Sequence, residues 1–159
     1  MSEFWSWLEM LPIAGRIGES WWFPLLESLH VLAAMFVVGS IVWVDLRLLG
    51  LAGNRYPLAR YVRELLFWTW GAFGLAVVTG FGMFMPRAAW YVENRAFQIK
   101  LILLALAAIN MAWFHVWGRR NTARAEAAPP SGQARFAGAL SLCIWIGVTL
   151  AGRWTGHLL

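Results

Sequence analysis

Residues 24–51 read PLLESLHVLAAMFVVGSIVWVDLRLLGL, and this stretch decides the fold. A helix that crosses a bilayer core needs about 20 predominantly apolar residues. The centre of this one, Val31–Val44, carries no charge at all. Pro24 suits a first helical turn, where its missing N–H leaves no bond unmade. Gly50 and Gly53 are stop signals at the far end. Three more stretches qualify, at about 65–86, 97–117 and 136–158. None alternates as a barrel strand does, and lipid tolerates no unpaired backbone, so each reads as a helix. The expected fold is all-α: an integral membrane bundle of four transmembrane helices, forming a single transmembrane domain over residues 1–159.

Working outward, the composition agrees. The chain is 60% hydrophobic and 13% charged, with 12 Trp, and its mean hydropathy is +0.60. Soluble domains sit nearer ~45–50% apolar and ~25% charged. Disorder, a nucleic-acid-binding tail and a disulfide scaffold are thereby excluded, and the lone Cys143 has no internal partner. A net charge of +5 would suggest nucleic acid in a soluble protein. Here the basic residues gather between the apolar runs, as in the loops of a membrane protein, so the expected partner is the lipid bilayer and no nucleic acid. Trp21, Trp22, Trp68, Trp70, Trp90, Trp113, Trp117 and Trp154 fall near span ends, where an aromatic belt anchors a bundle. No signal peptide is expected, because Met1-Ser2-Glu3 lacks a basic region and no small-residue cleavage site precedes the first span. Phe4, Trp5, Leu8 and Leu11 share a helical face, which predicts a short interfacial helix over about 3–11 with Ser2 as a candidate cap. The segment 121–133, with Pro129, Pro130, Ser131 and Gly132, reads as a loop.

Basic residues set orientation. The loops after spans one and three hold eight: Arg47, Arg55, Arg60, Arg63, Arg119, Arg120, Arg124 and Arg135. The other side has five: Arg16, Arg87, Arg95, Lys100 and Arg153. A multi-pass protein of the bacterial inner membrane with both termini in the periplasm is expected.

Ionisable groups inside a span are functional candidates by default. Span one carries Glu27, His30 and Asp45, which fall within about 60° of one line on a helix and are expected to share a face turned into the bundle. Span three offers Lys100, Asn110 and His115; span four offers Cys143, Thr149, Arg153 and His157. Span two has no charge, but Gly71, Gly74, Val78 and Gly82 form a small-residue stripe, for close helix packing or for a flat macrocycle. By depth, the half of the bundle near the termini gathers Glu27, His30, Met83, Met85, Lys100, Arg153 and His157. Asp45, Arg47 and His115 lie toward the other side, where Asp45 and Arg47 read as a structural ion pair or a snorkelling helix end.

Three readings follow. The first is a b-type haem serving electron transfer. His30 is an axial ligand, with His157, Met83 or Met85 as the second, and Arg153 or Lys100 against the propionates. His30 and His157 differ in depth by roughly 10 Å, which tilt must absorb. Glu27 is expected to accept from one ring nitrogen of His30 and to fix its tautomer. The second reading is copper, which takes thioether and imidazole from Met83, Met85, His30 and His157. The third is a non-redox accessory subunit of a larger membrane complex, or a homo-oligomer, with the glycine stripe as packing surface. A di-iron site fails because the apolar stretches of spans two to four contain no carboxylate, although Glu27-x-x-His30 has the spacing. No Walker A, GxSxG or HExxH motif marks a soluble-type catalytic centre.

The stretch from Glu27 through His30, Gly39, Asp45 and Arg47 to Gly50, with Gly152-Arg153-Trp154 near the C-terminus, resembles an uncharacterised family of small bacterial four-helix inner-membrane proteins. More loosely, Leu29-His30 followed by an apolar helix and Gly39 is similar to the first helix of copper-resistance D-type proteins and of haem-binding membrane protoporphyrinogen oxidases. The resemblance implies a functional role for the helix histidine, here His30.

Overall fold

The computed structural model describes residues 2–52, 58–113 and 131–156. All regular structure among them is helical. In chain order the elements are α1 (Ser2–Glu9), α2 (Pro12–Gly18), α3 (Trp22–Leu48), α4 (Leu58–Phe84), a 3-10 turn (Met85–Arg87), α5 (Ala88–Glu93), α6 (Arg95–Trp113) and α7 (Gly132–Trp154). Four of them are long and apolar enough to cross a membrane. The shortest, α6, has 19 residues, or roughly 28 Å, close to the ~30 Å hydrocarbon thickness. These helices are apolar on nearly every side, and Leu32, Val78 and Ile109 stay more than half exposed. A water-soluble protein would bury such residues; here they form the lipid-facing surface of a multi-pass membrane protein.

Helix ends follow local chemistry. Gly50 has φ 79°, which only glycine adopts without strain. Its N–H donates to Arg47 O, and the Leu51 N–H reaches back to Leu46 O, each at 2.9 Å. This closes α3 at Leu48 through a glycine-terminated double bond. The apolar pattern alone puts the end at Leu51 and also invokes Gly53, which lies outside the described residues. The second apolar span begins at Leu65 as expected, within a helix that reaches back to Leu58 and ends at Phe84, where Pro86 imposes the 3-10 turn. The third begins at Arg95, two residues early. The fourth runs over Gly132–Trp154 rather than 136–158, because Ser131, expected in a loop, accepts from the Ala134 N–H and caps it. Asn94 caps α6 by accepting from the Phe97 N–H at 3.1 Å, and its amide donates to Thr155 O at 3.1 Å, tying the ends of α6 and α7 together.

The four spans pack in the order α4–α3–α7–α6. Among the described residues α4 and α6 make little contact beyond the stack of Phe84 on Phe97, ring centroids 5.6 Å apart, near the terminal end. The terminal end of the bundle is covered by α1, α2 and α5. Leu8, Ala14, Met85 and Ala88 form a small apolar core there, with Trp5 and Leu11 against it. Ala89 N–H donates to Glu9 Oε1 at 2.9 Å, so a carboxylate closes the start of α5. The single interfacial helix expected from the sequence is thus two helices, broken before Pro12, whose ring cannot continue α1. Phe4, Trp7, Met10 and Ile13 remain exposed along them.

Candidate functional site

Inward positions on α3 recur as Leu26, His30, Ala33, Val37, Ser40 and Leu48, the spacing of one helix seam. Glu27 sits one residue off this line and is exposed. The expected shared face of Glu27, His30 and Asp45 is therefore not formed. His30 meets α4, whereas Asp45 turns toward α7.

The His30 ring is half-buried against α4. Its Nδ1 lies 2.8 Å from Ala76 O and 3.2 Å from Thr79 Oγ1. A carbonyl oxygen can only accept, so Nδ1 carries the proton. The Thr79 hydroxyl donates to Leu75 O at 2.7 Å, which leaves its lone pairs toward the imidazole. In the neutral ring Nε2 then holds a lone pair, and it makes no hydrogen bond among the described residues. The partner that fixes the tautomer is a backbone carbonyl of α4 and not Glu27. Gly80 makes room for the ring: a Cβ there would stand 3.0 Å from His30 Cε1. Gly82 does the same for Leu26. Of the expected glycine stripe, only Gly82 faces a neighbouring helix. Gly71 and Gly74 have open space around them and Val78 is 69% exposed, so that line faces outward.

Lys100, on α6, interacts electrostatically with His30, and its aliphatic stem lies over Gly152 of α7, with Cδ 3.8 Å from a Cβ built there. Arg153 is exposed. Met83 is half-buried; Met85 is committed to the apolar core under α1 and α2. His157 and His115 lie outside the described residues, so the second axial position rests on the sequence alone. Among the described residues no group of three or more His, Cys, Asp or Glu is placed to hold a metal ion.

A second polar site does not stand out from the sequence. A cavity of about 210 Å³ lies among all four spans, toward the end away from the termini. Its walls are apolar and aromatic apart from Ser40, Asp45, Thr69, Asn110 and Ser141. Asp45 is 4% and Asn110 8% exposed. Asn110 Nδ2 donates to Ala137 O at 3.1 Å, which fixes the amide with Oδ1 free. Ser141 lies close enough to interact with the Asp45 carboxyl. Even so, Asp45 Oδ2 and Asn110 Oδ1 have no hydrogen-bond partner among the described residues. The Ser40 hydroxyl donates to Val37 O, and that of Thr69 is directed at Leu65 O and Ser40 Oγ, all at 2.8 Å. Trp70, expected as an interfacial anchor, lines this cavity. The readable signal is Asp45 and Asn110 themselves, two polar residues at similar depth on different spans. Only the packing brings both onto one turn of α7, around Ala137 and Gly138.

No family model, no curated protein and no solved structure matches this chain.

Proposed function

We propose that the chain binds a b-type haem in the terminal half of the bundle and serves electron transfer, with His30 as an axial ligand through Nε2. The observation that carries this reading is the 2.8 Å contact between His30 Nδ1 and Ala76 O. An imidazole that ligates iron is typically held at its back nitrogen by a carbonyl or carboxylate, which orients the ring and raises its basicity. Here α4 does this through its own backbone, with Thr79 beside it. Haem, when bound, supplies a one-electron carrier in low-dielectric surroundings. Lys100 is the cation available to a propionate near His30. The loose similarity of the first span to haem-binding membrane proteins points the same way. Copper has less support, because Met85 is already buried in an apolar core.

The decisive experiment is purification of the full chain from haem-replete cells. A Soret band that shifts on reduction is expected for the native chain. It should be absent from His30→Ala, which still inserts because insertion depends on the apolar spans. A colourless, haem-free native protein refutes the proposal. One observation favours a second reading, a non-redox accessory subunit. The bare surface at Gly71 and Gly74 suits close approach of another membrane helix.

We further propose the bacterial inner membrane as the location, with both termini in the periplasm, on the excess of basic residues in the loops after spans one and three. Cysteines introduced at Ser2 and Ala125 should label from the periplasm and the cytoplasm respectively; the reverse pattern overturns the orientation.

A further inference from the structure

We propose that the cavity beside Asp45 is a binding site for a small organic ammonium ion: a primary amine, protonated, on a compact apolar or aromatic body. Hydrogen-bond bookkeeping selects the head group. The Asn110 amide N–H is spent on Ala137 O, and the Ser40 and Thr69 hydroxyl hydrogens are directed at helix carbonyls or at each other. With the Asp45 carboxyl ionised, what remains is acceptors, above all Asp45 Oδ2 and Asn110 Oδ1, both enclosed and unpartnered among the described residues. An acceptor-only pole calls for a donor-rich ligand, and an ammonium brings up to three N–H donors together with the charge that balances a carboxylate. A buried carboxylate left alone in a membrane bundle is costly, so such groups are retained where they meet a ligand or a partner.

The rest of the cavity selects the body. Trp70, Phe73 and Trp145 line it, and aromatic faces attract organic cations. A bare alkali ion would use only the polar pole and leave the apolar and aromatic walls unmatched, and about 210 Å³ is far more space than such an ion fills. The cavity lies between α4 and α6 on the side away from the Phe84–Phe97 stack, where the two helices make little contact, so a ligand partitioned into the membrane has a lateral way in. The site is distinct from the His30 seat and does not depend on haem.

The test uses the full chain in detergent micelles or nanodiscs, with benzylammonium as probe and benzyl alcohol as its uncharged analogue. Trp70 and Trp145 should report binding as a saturable change in fluorescence. Asp45→Asn keeps the shape and removes the charge, and should weaken the interaction at least about tenfold. Ser141→Leu leaves the carboxylate in place and fills the space beside it, and should also abolish saturation. Circular dichroism of both variants confirms that the helices remain. No saturable change in the native chain overturns the proposal, as does equal binding by Asp45→Asn or an equal response to benzyl alcohol. So does a native chain whose cavity is closed by a second copy and gives no response to the amine.

Discussion

Gly80→Ala tests the seat of His30 most directly. A methyl group at this position stands 3.0 Å from His30 Cε1 and 3.3 Å from Nδ1. Ordinary contact needs several tenths of an ångström more, so something must shift. The ring cannot swing freely, because Nδ1 is held 2.8 Å from Ala76 O. Either that bond lengthens toward the limit of a hydrogen bond, losing about 0.5–1.5 kcal/mol, or α3 and α4 separate locally, at an overpacking penalty of about 1–3 kcal/mol. Against this, alanine gains up to ~1 kcal/mol of helix propensity over glycine. Gly74→Ala isolates that gain, because nothing lies within 4 Å of its Cβ position. Gly80→Ala should therefore be less stable than Gly74→Ala by about 1–3 kcal/mol. Unfolding by a denaturing detergent in mixed micelles, followed by circular dichroism and tryptophan fluorescence, measures the difference. In a His30→Ala background the obstruction is gone, and the two alanine substitutions should become equivalent. A double-mutant cycle reads this as a coupling between positions 30 and 80. The reasoning is refuted if Gly80→Ala matches Gly74→Ala in the native background, or if its effect survives removal of the imidazole.

Gly138→Ala should destabilise more than Gly80→Ala. Its Cβ would meet Asp45 O and Leu48 Cβ, each at 3.1 Å, and a helix backbone yields less readily than a ring. The same unfolding assay checks this, with a loss toward the upper end of about 1–3 kcal/mol expected. Asn94→Ala removes the cap of α6 and the donor to Thr155 O, and should cost about 1–3 kcal/mol. Hydrogen exchange should rise first at Phe97 and in the last turn of α7; unchanged protection there refutes the tie between the two ends.

Some of the polar sites are legible in the sequence. His30 stands out because an imidazole inside an apolar span needs a reason, and the α4 backbone supplies one. Glu27 is the wrong partner. Helical spacing brackets a face only to within about 60°, and one residue of offset separates a side chain in the seam from one outside it. Gly71, Gly74 and Gly82 look like a single stripe by spacing, yet Gly80 is the glycine that receives His30. Which glycine matters depends on the rotation of α4 about its own axis, and that rotation is set by its neighbour.

The four spans, their helical nature and most of their ends follow from the chain's local physics. Apolar length is matched to bilayer thickness, and only a helix closes its backbone hydrogen bonds within one segment. Gly50 and Pro86 act through the conformation of their own backbone and are readable in isolation. Which helices touch is a matter of packing. The order α4–α3–α7–α6 and the placing of Asp45 and Asn110 on one cavity arise from side chains far apart in the chain. In lipid, no hydrophobic driving force sorts one apolar face from another, so small differences in fit and polar contact choose the neighbours. Spans α3 and α6 are apolar on nearly every side, and their hydropathy therefore carries no record of which side meets protein and which meets lipid.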